Sequence, residues 1–203
     1  MHLIELDVVT GDLADRLWSM YLRAFEPLRA AAVQRHLMVR AEFDEVLADS
    51  RVRKILVVRG DDPGGPGDPT TLTPSDPAAA DDVLGVAAVT AHLDAVPLVS
   101  PEYFATRWPL LHAERRIWYV SFLAVTPDYQ GSRVASLLVT PIAQRANANG
   151  GIVVVDICSH NEVRMRLPSI LLRMARVYAP QATMTKLDAQ TYWAYDFPSE
   201  ESA

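Results

Sequence analysis

The residues that could do chemistry crowd into one stretch, Val120 to Asn161. A strand pattern (Val120 to Val125) runs into the turn Thr126-Pro127-Asp128-Tyr129-Gln130-Gly131-Ser132, and an apolar helix pattern starts directly after it. A helix start presents backbone N–H groups without helical partners, together with the positive end of the helix dipole. That arrangement suits a pyrophosphate, and the flanking order favours a phosphate site over a plain strand–turn–helix junction. A second cluster, Asp156, Cys158, Ser159 and His160, stands at the end of the run Gly151 to Ile157 (GIVVVDI). Strand ends in open α/β sheets are where ligands bind. Cys158 beside His160 admits a thiolate nucleophile, against the commoner reading of a lone cysteine as inert packing. His160 alone admits a general base, against a turn or capping role. Arg164 and Arg166 could meet a phosphate, but a solvated face is their default.

These residues need elements to hold them. Leu3 to Val9 reads as a short strand, and Thr10-Gly11-Asp12 as a turn and helix cap. Leu13, Leu17, Tyr21, Phe25 and Leu28 recur at three and four, one apolar face of a helix. A second helix is expected over Gln34 to Leu47, then strands at Lys54 to Val58 and Val83 to Leu93. Between those strands, Gly60 to Asp82 is rich in Gly, Pro, Asp and Thr and reads as a flexible loop. Ser100-Pro101-Glu102 opens a helix that Pro109 interrupts. Ile117 to Val125 is a long strand. Val134, Leu137, Leu138 and Ile142 mark a helix that Pro141 should kink. GIVVVDI has the length of a strand covered on both faces. Pro168 to Tyr178 reads as a helix, and Thr183 to Phe197 as one or two last strands rich in aromatics, including Tyr192, Trp193, Tyr195 and Phe197. Strands alternating with helices predict a mixed α/β sheet covered by helices.

The chain has 203 residues and a net charge of −6, enough for one domain and the wrong sign for a protein that grips nucleic acid by its phosphates. Its one cysteine, Cys158, excludes an internal disulfide, and no ligand spacing points to a metal. The N-terminus lacks the basic start and apolar run of a signal peptide, and no segment is apolar for long enough to span a bilayer. A cytoplasmic protein without nucleic-acid or membrane partners is the expectation.

The segment Leu123-Ala124-Val125-Thr126-Pro127-Asp128-Tyr129-Gln130-Gly131-Ser132-Arg133-Val134-Ala135 resembles the signature of the GNAT superfamily, the acyl-CoA N-acyltransferases. That signature is a strand ending in Leu-x-Val, then Pro, then Gln or Arg-x-x-Gly-x-Gly or Ala, then an apolar helix. The element order around it fits over nearly the whole chain. The resemblance implies a single domain over residues 1 to 203, its central, mostly antiparallel sheet splayed between the fourth and fifth strands and flanked by helices. It implies acetyl-CoA or another acyl-CoA as co-substrate, with no metal. Leu123, Ala124 and Val125 would face the pantetheine arm. Gln130, Gly131, Ser132, Arg133, Val134 and Ala135 would surround the pyrophosphate. Asn161 would hold the pantetheine side or the following helix. Pro97 to Arg116 reads as an insertion whose aromatics, Tyr103, Phe104 and Trp108, either cover the acceptor side or form a small satellite core.

Three positions depart from the family's pattern. Arg133 stands where the first motif glycine stands, and its guanidinium could reach a phosphate or block the site. Ser121 stands where the family often has a basic Glu, and Pro168 where it often has an acidic Tyr. The expected function is acyl transfer, of acetyl in the family's manner, to an amine of a small molecule, protein or peptide, with His160 as base and Ser121 and Cys158 as further candidates. The alternative is a GNAT-like protein that binds a thioester without transferring its acyl group. A third reading, an interaction module, would require a closed cleft between the two central strands. An aromatic last strand would leave a homodimer open.

Overall fold

The computed structural model describes residues 1–32, 37–60, 83–97 and 99–194. The expected loop over 60–82 lies, apart from Gly60, outside the described residues, as do Gln34 and the last aromatics, Tyr195 and Phe197.

In chain order the elements are β1 (His2–Leu6), α1 (Gly11–Phe25), α2 (Leu28–Ala31), α3 (Arg40–Ala48), β2 (Arg53–Val58), β3 (Val83–Thr90), α4 (Pro101–Arg107), α5 (Pro109–Ala113), β4 (Ile117–Val125), α6 (Val134–Ala148), β5 (Ile152–Val155), α7 (Ser159–Val163) and α8 (Leu167–Arg176). The five strands form one sheet in sequence order. The β1–β2, β2–β3 and β3–β4 pairs are antiparallel, and β4–β5 is parallel. This is the mixed sheet that the strand–helix alternation predicts.

Helices cover both faces. On one face α1 and α3 bury Leu17, Tyr21, Phe43 and Leu47 against Leu56, Val86, Phe122 and Ala124. Tyr21 and Phe122 meet edge to face at 5.3 Å, a favoured aromatic geometry. On the other face α6 lays Val134, Leu138 and Ile142 on Ile55, Ala87, Val89 and Val120. The last turn of α6 is tied to the far edge of the sheet, where Arg145 Nη2 donates to both oxygens of Glu5 at 2.8 and 2.6 Å.

Residues 99–113 build a third, smaller core. Phe104 packs with Leu93, Val96, Ile117 and Tyr119, and Trp108 lies against them. The insertion's aromatics therefore form a satellite core, with Tyr103 largely exposed. The local signals here hold: Ser100 Oγ accepts the Tyr103 N–H, Pro101 opens α4, and Pro109 opens α5.

Other expectations need correction. The second helix begins at Arg40, because the Glu42 carboxylate accepts the Val39 N–H at 2.8 Å and pins the start there. β5 is four residues long rather than seven, and it is not covered on both faces: Val153 and Val155 are 43% and 39% exposed. A short apolar run reads the same for an inner strand and an outer one. The polar stretch after β5 forms the short helix α7. Residues 183–194 form no strand. Lys186 binds Glu162 of α7 at 2.8 Å and Leu187 packs on the third core, which draws this segment over α7 and the sheet face instead of along β5. Trp193 is left 80% exposed. The rest of the expected last strand, 195–197, lies outside the described residues. The helix α6 continues through Pro141.

Candidate functional site

The site begins with a mismatch of strand lengths. β4 has nine residues and β5 has four, and they pair only over Ile117–Val120 and Ile152–Val155. Beyond Val120 the chain of β4 keeps β3 on one side, with pairs out to Val125–Gly85. Among the described residues no strand lies on its other side. Alternate residues of Ser121 to Val125 therefore turn their N–H and C=O groups into an open wedge.

Ser121 sits at a bulge. Phe122 pairs with Ala88 and Val120 with Val89, so no residue of β3 stands opposite Ser121. One extra residue reverses which face the following side chains take. Before it, Val120 packs toward α6; after it, Phe122 and Ala124 pack toward α1 and α3 while Leu123 and Val125 turn toward α6. The hydrophobic pattern reads through Ser121 without a break, so the bulge carries no clear mark in the sequence.

The wedge leads directly into the turn. Thr126 ties the end of β4 to β3: its N–H and its Oγ1 both donate to the Leu84 carbonyl, at 3.0 and 2.6 Å. One 3-10 turn, Pro127–Tyr129, follows, with the Tyr129 ring under the Arg59 guanidinium at 5.5 Å. Gln130 is extended and exposed. Gly131 has φ +79 with nothing within 4 Å of where a Cβ would stand, so the turn needs glycine for its backbone and leaves space over it. Ser132 Oγ accepts the Val134 N–H at 3.2 Å. The helical ladder starts with Leu137 N–H to Arg133 C=O, so the amides of Ala135 and Ser136 stand ahead of it. Arg133 has right-handed backbone, φ −70 and ψ −6, so this turn does not require glycine there. Its side chain is exposed and takes no hydrogen bond or ion pair among the described residues.

The second cluster spans the start of α7. Cys158 precedes α7 and its carbonyl accepts the Glu162 N–H; His160 lies in the first turn and its carbonyl accepts the Arg164 N–H. Both are half-buried, as is Asn161. Cys158 has extended backbone and His160 is helical, so the two do not share the strand face that a Cys158–His160 dyad would use.

A pair that the spacing did not reveal stands at the apex of the wedge. Tyr119 OH donates to Asp156 Oδ1 at 2.8 Å. Tyr119 is buried beside the last β4–β5 pairs, and Asp156 is the first residue past β5 and is exposed. Burial, and then the charge of Asp156, push the Tyr119 phenol above the usual tyrosine range, so it stays a donor. Only the β4–β5 register brings these two together, and no local pattern encodes it.

A cavity of about 310 Å³ lies elsewhere, lined by His92, Asp94, His112 and Arg115 near Ile117. It opens at the start of β4, whereas the wedge opens past Val120, so it is not part of the same site. Among the described residues no three His, Cys, Asp or Glu side chains gather as a metal set, and no helix is long and apolar enough to cross a membrane.

No protein-family model matches the chain, and no curated protein matches it in sequence. Solved structures do match in shape. A crystal structure of a probable acetyltransferase superimposes over 97% of this chain and 99% of that one, with 13% identity and a TM-score of 0.51. An aminoglycoside acetyltransferase from an uncultured soil metagenomic sample, in complex with sisomicin, matches over 96% and 95% with 13% identity and a TM-score of 0.46. A ribosomal-protein-alanine N-acetyltransferase from Brucella melitensis biovar Abortus 2308 matches over 95% and 98% with 13% identity and a TM-score of 0.43. At such identities the likeness is one of fold, and the first of the three carries it.

Proposed function

We propose, from the GNAT fold that this chain carries, that it is an acyl-CoA-dependent N-acyltransferase that moves acetyl from acetyl-CoA to an amine of a small molecule or protein. The observation that carries this reading is the open half of β4, Ser121 to Val125, running straight into the Gly131 turn and the start of α6.

The residues fit a phosphate-bearing co-substrate. Gly131 leaves room above its backbone, and the Ala135 and Ser136 amides stand ahead of the helical ladder. In this reading Gln130, Gly131, Ser132, Val134 and Ala135 frame the pyrophosphate, and the exposed Arg133 adds a guanidinium where the family's pattern has glycine. Leu123, Ala124 and Val125 lie along the pantetheine arm, and the N–H among them that faces the wedge is offered to the thioester carbonyl as an oxyanion site would. Asn161 on α7 flanks the same arm.

The amine's lone pair forms the C–N bond at the thioester carbon. The C–S bond breaks with its electron pair on sulfur, and the nitrogen's spare proton returns to the thiolate. A protonated amine of pKa ~10.4 must first give up one proton, at about 4–5 kcal/mol at pH 7. His160 is the proposed acceptor of that proton. Ser121, at the bulge, is a second candidate, and Cys158 has no nucleophilic role in this direct transfer. Thiolate departure is tolerable without an acid, because thiol pKa values lie near ~8.5.

A second reading, binding of acyl-CoA without N-acyl transfer, is favoured by Arg133 at the glycine position, Ser121 at the Glu position and Pro168 at the Tyr position. Thiol release from acetyl-CoA, followed against a panel of primary alkyl and aryl amines, separates the two. Amine-dependent release is the expected result. Binding of acetyl-CoA with no release for any amine would overturn transfer in favour of the second reading.

A further inference from the structure

The Tyr119–Asp156 pair stands apart from every residue given a role above. Parallel pairing sets Tyr119 beside Val154, so Asp156, two residues further, returns to the same face of the sheet. That face is the one opposite α6: Tyr119 packs with Phe104 and Leu93, and Leu138 of α6 packs on the other side. If α6 receives the phosphates, the acyl end must pass through the wedge toward the face that holds Asp156. Asp156 Oδ1 is engaged by Tyr119 at 2.8 Å. No Lys or Arg pairs with Asp156 among the described residues, although Asp49, Asp94, Glu5 and Glu162 each have such a partner. A carboxylate fixed by a phenol on one oxygen, with no cation of its own on the other, is arranged to receive one.

We propose that Asp156, positioned by Tyr119, receives the ammonium group of a cationic amine acceptor at the apex of the wedge between β4 and β5. This rests on the acyltransfer reading and narrows its acceptor to an amine that is protonated in solution. The raised phenol keeps Tyr119 a donor throughout the neutral range, so one carboxylate oxygen is always spoken for and the other points the acceptor. Asp156 selects the acceptor, and Tyr119 acts through Asp156 as a positioning residue.

The test is calorimetric binding of 1,4-diaminobutane, with the uncharged 1,4-butanediol as comparator, to the intact protein and to Asp156→Asn. Asparagine keeps the shape and can still accept from Tyr119. The diamine should bind the unaltered protein and lose about tenfold or more in Asp156→Asn, whereas the diol should bind neither. Tyr119→Phe should weaken the diamine by a smaller factor, because the carboxylate remains but is no longer held. In the thiol-release assay, Asp156→Asn should raise KM for an alkylamine, with kcat and the KM for acetyl-CoA unchanged. Equal diamine affinity in the unaltered and Asp156→Asn proteins, or no diamine binding at all, overturns the proposal. Asp156-dependent diamine binding without thiol release overturns the transfer reading and leaves the cation site standing.

Discussion

Gly85 of β3 lies against Val134, the first residue of α6: a Cβ on Gly85 would stand 2.7 Å from Val134 Cγ1. It would also press on the Ala124 carbonyl and Leu138 Cδ1, each at 3.1 Å. One of these neighbours is backbone and one is a stiff branched side chain, so the contact cannot relax by a simple rotation. The missing side chain lets α6 sit low on the sheet and brings its start next to the end of β4. Gly85→Ala should therefore cost about 1–3 kcal/mol, seen as a fall in Tm of roughly 2–4 °C per kcal/mol. An unchanged Tm would mean that α6 does not seat on β3 in this way.

Lys54 makes stability depend on pH. Its side chain is fully buried in β2, where Nζ donates to the Asp7 and Asp49 carbonyls, both at 2.8 Å. Burial lowers its pKa from 10.5 to about 8, against the opposing charges of Asp49 and Asp7. The folded pKa lies below the unfolded one, so between these values the unfolded chain binds more protons and stability rises with pH. The cost of burying the charge is present in full below pH 8 and is released above it. Tyr119 acts in the opposite sense above roughly pH 10, where an unfolded tyrosine loses its proton and the folded one keeps it. Urea midpoints should thus climb between pH 8 and pH 10. In Lys54→Met the climb should vanish, with lower stability throughout because two carbonyls lose their donor. A flat profile in the unaltered protein would show that the two carbonyls hold the charge without penalty.

Much of the frame is legible in the residues. The apolar spacing from Leu13 to Phe25, the Ser100-Pro101 cap and the whole of β4 follow from local rules, because their partners lie within a turn or on one face. The Pro127 to Ala135 turn is legible for the same reason: its glycine and its helix start are neighbours in sequence. What the residues hide depends on long-range pairing. The bulge at Ser121 appears only against β3, and the Tyr119–Asp156 bond only against the β4–β5 register. The exposure of Val153 and Val155 depends on what fails to cover them. The segment 183–194 carries strand-like aromatics, but Lys186 and Leu187 find partners on α7 and the third core and hold it off the edge of β5.

Glu5 of β1 ties the last turn of α6 to the β1–β2 edge of the sheet. Arg145 grips both its oxygens and Arg53 reaches one at 3.2 Å. Glu5→Gln should destabilise by about 1–3 kcal/mol, since it strips a half-buried Arg145 of a two-pronged charged partner. Thermal melts at low and high salt check this, and the loss should persist at high salt because the pair is shielded from solvent.

Gly131→Val separates the turn's backbone from its space. The φ of +79 costs a branched residue about 1–3 kcal/mol, while no neighbour stands in the way of the new side chain. The protein should stay folded with a modestly lower Tm, and its affinity for coenzyme A should drop by more than the stability loss explains, because the side chain fills the space over the amides. Unchanged coenzyme A affinity in a folded Gly131→Val would place the phosphates elsewhere.

In the proposed reading the turn from Gln130 to Ala135 receives the phosphates of an acyl-CoA at the mouth of the β4–β5 wedge. Calorimetric titration of acetyl-CoA and of free coenzyme A tests it directly, in the unaltered protein and in Arg133→Glu. Both compounds should bind the unaltered protein, and Arg133→Glu, at an exposed position that costs the fold little, should weaken both about tenfold or more. No binding of either compound to a folded protein would contradict it.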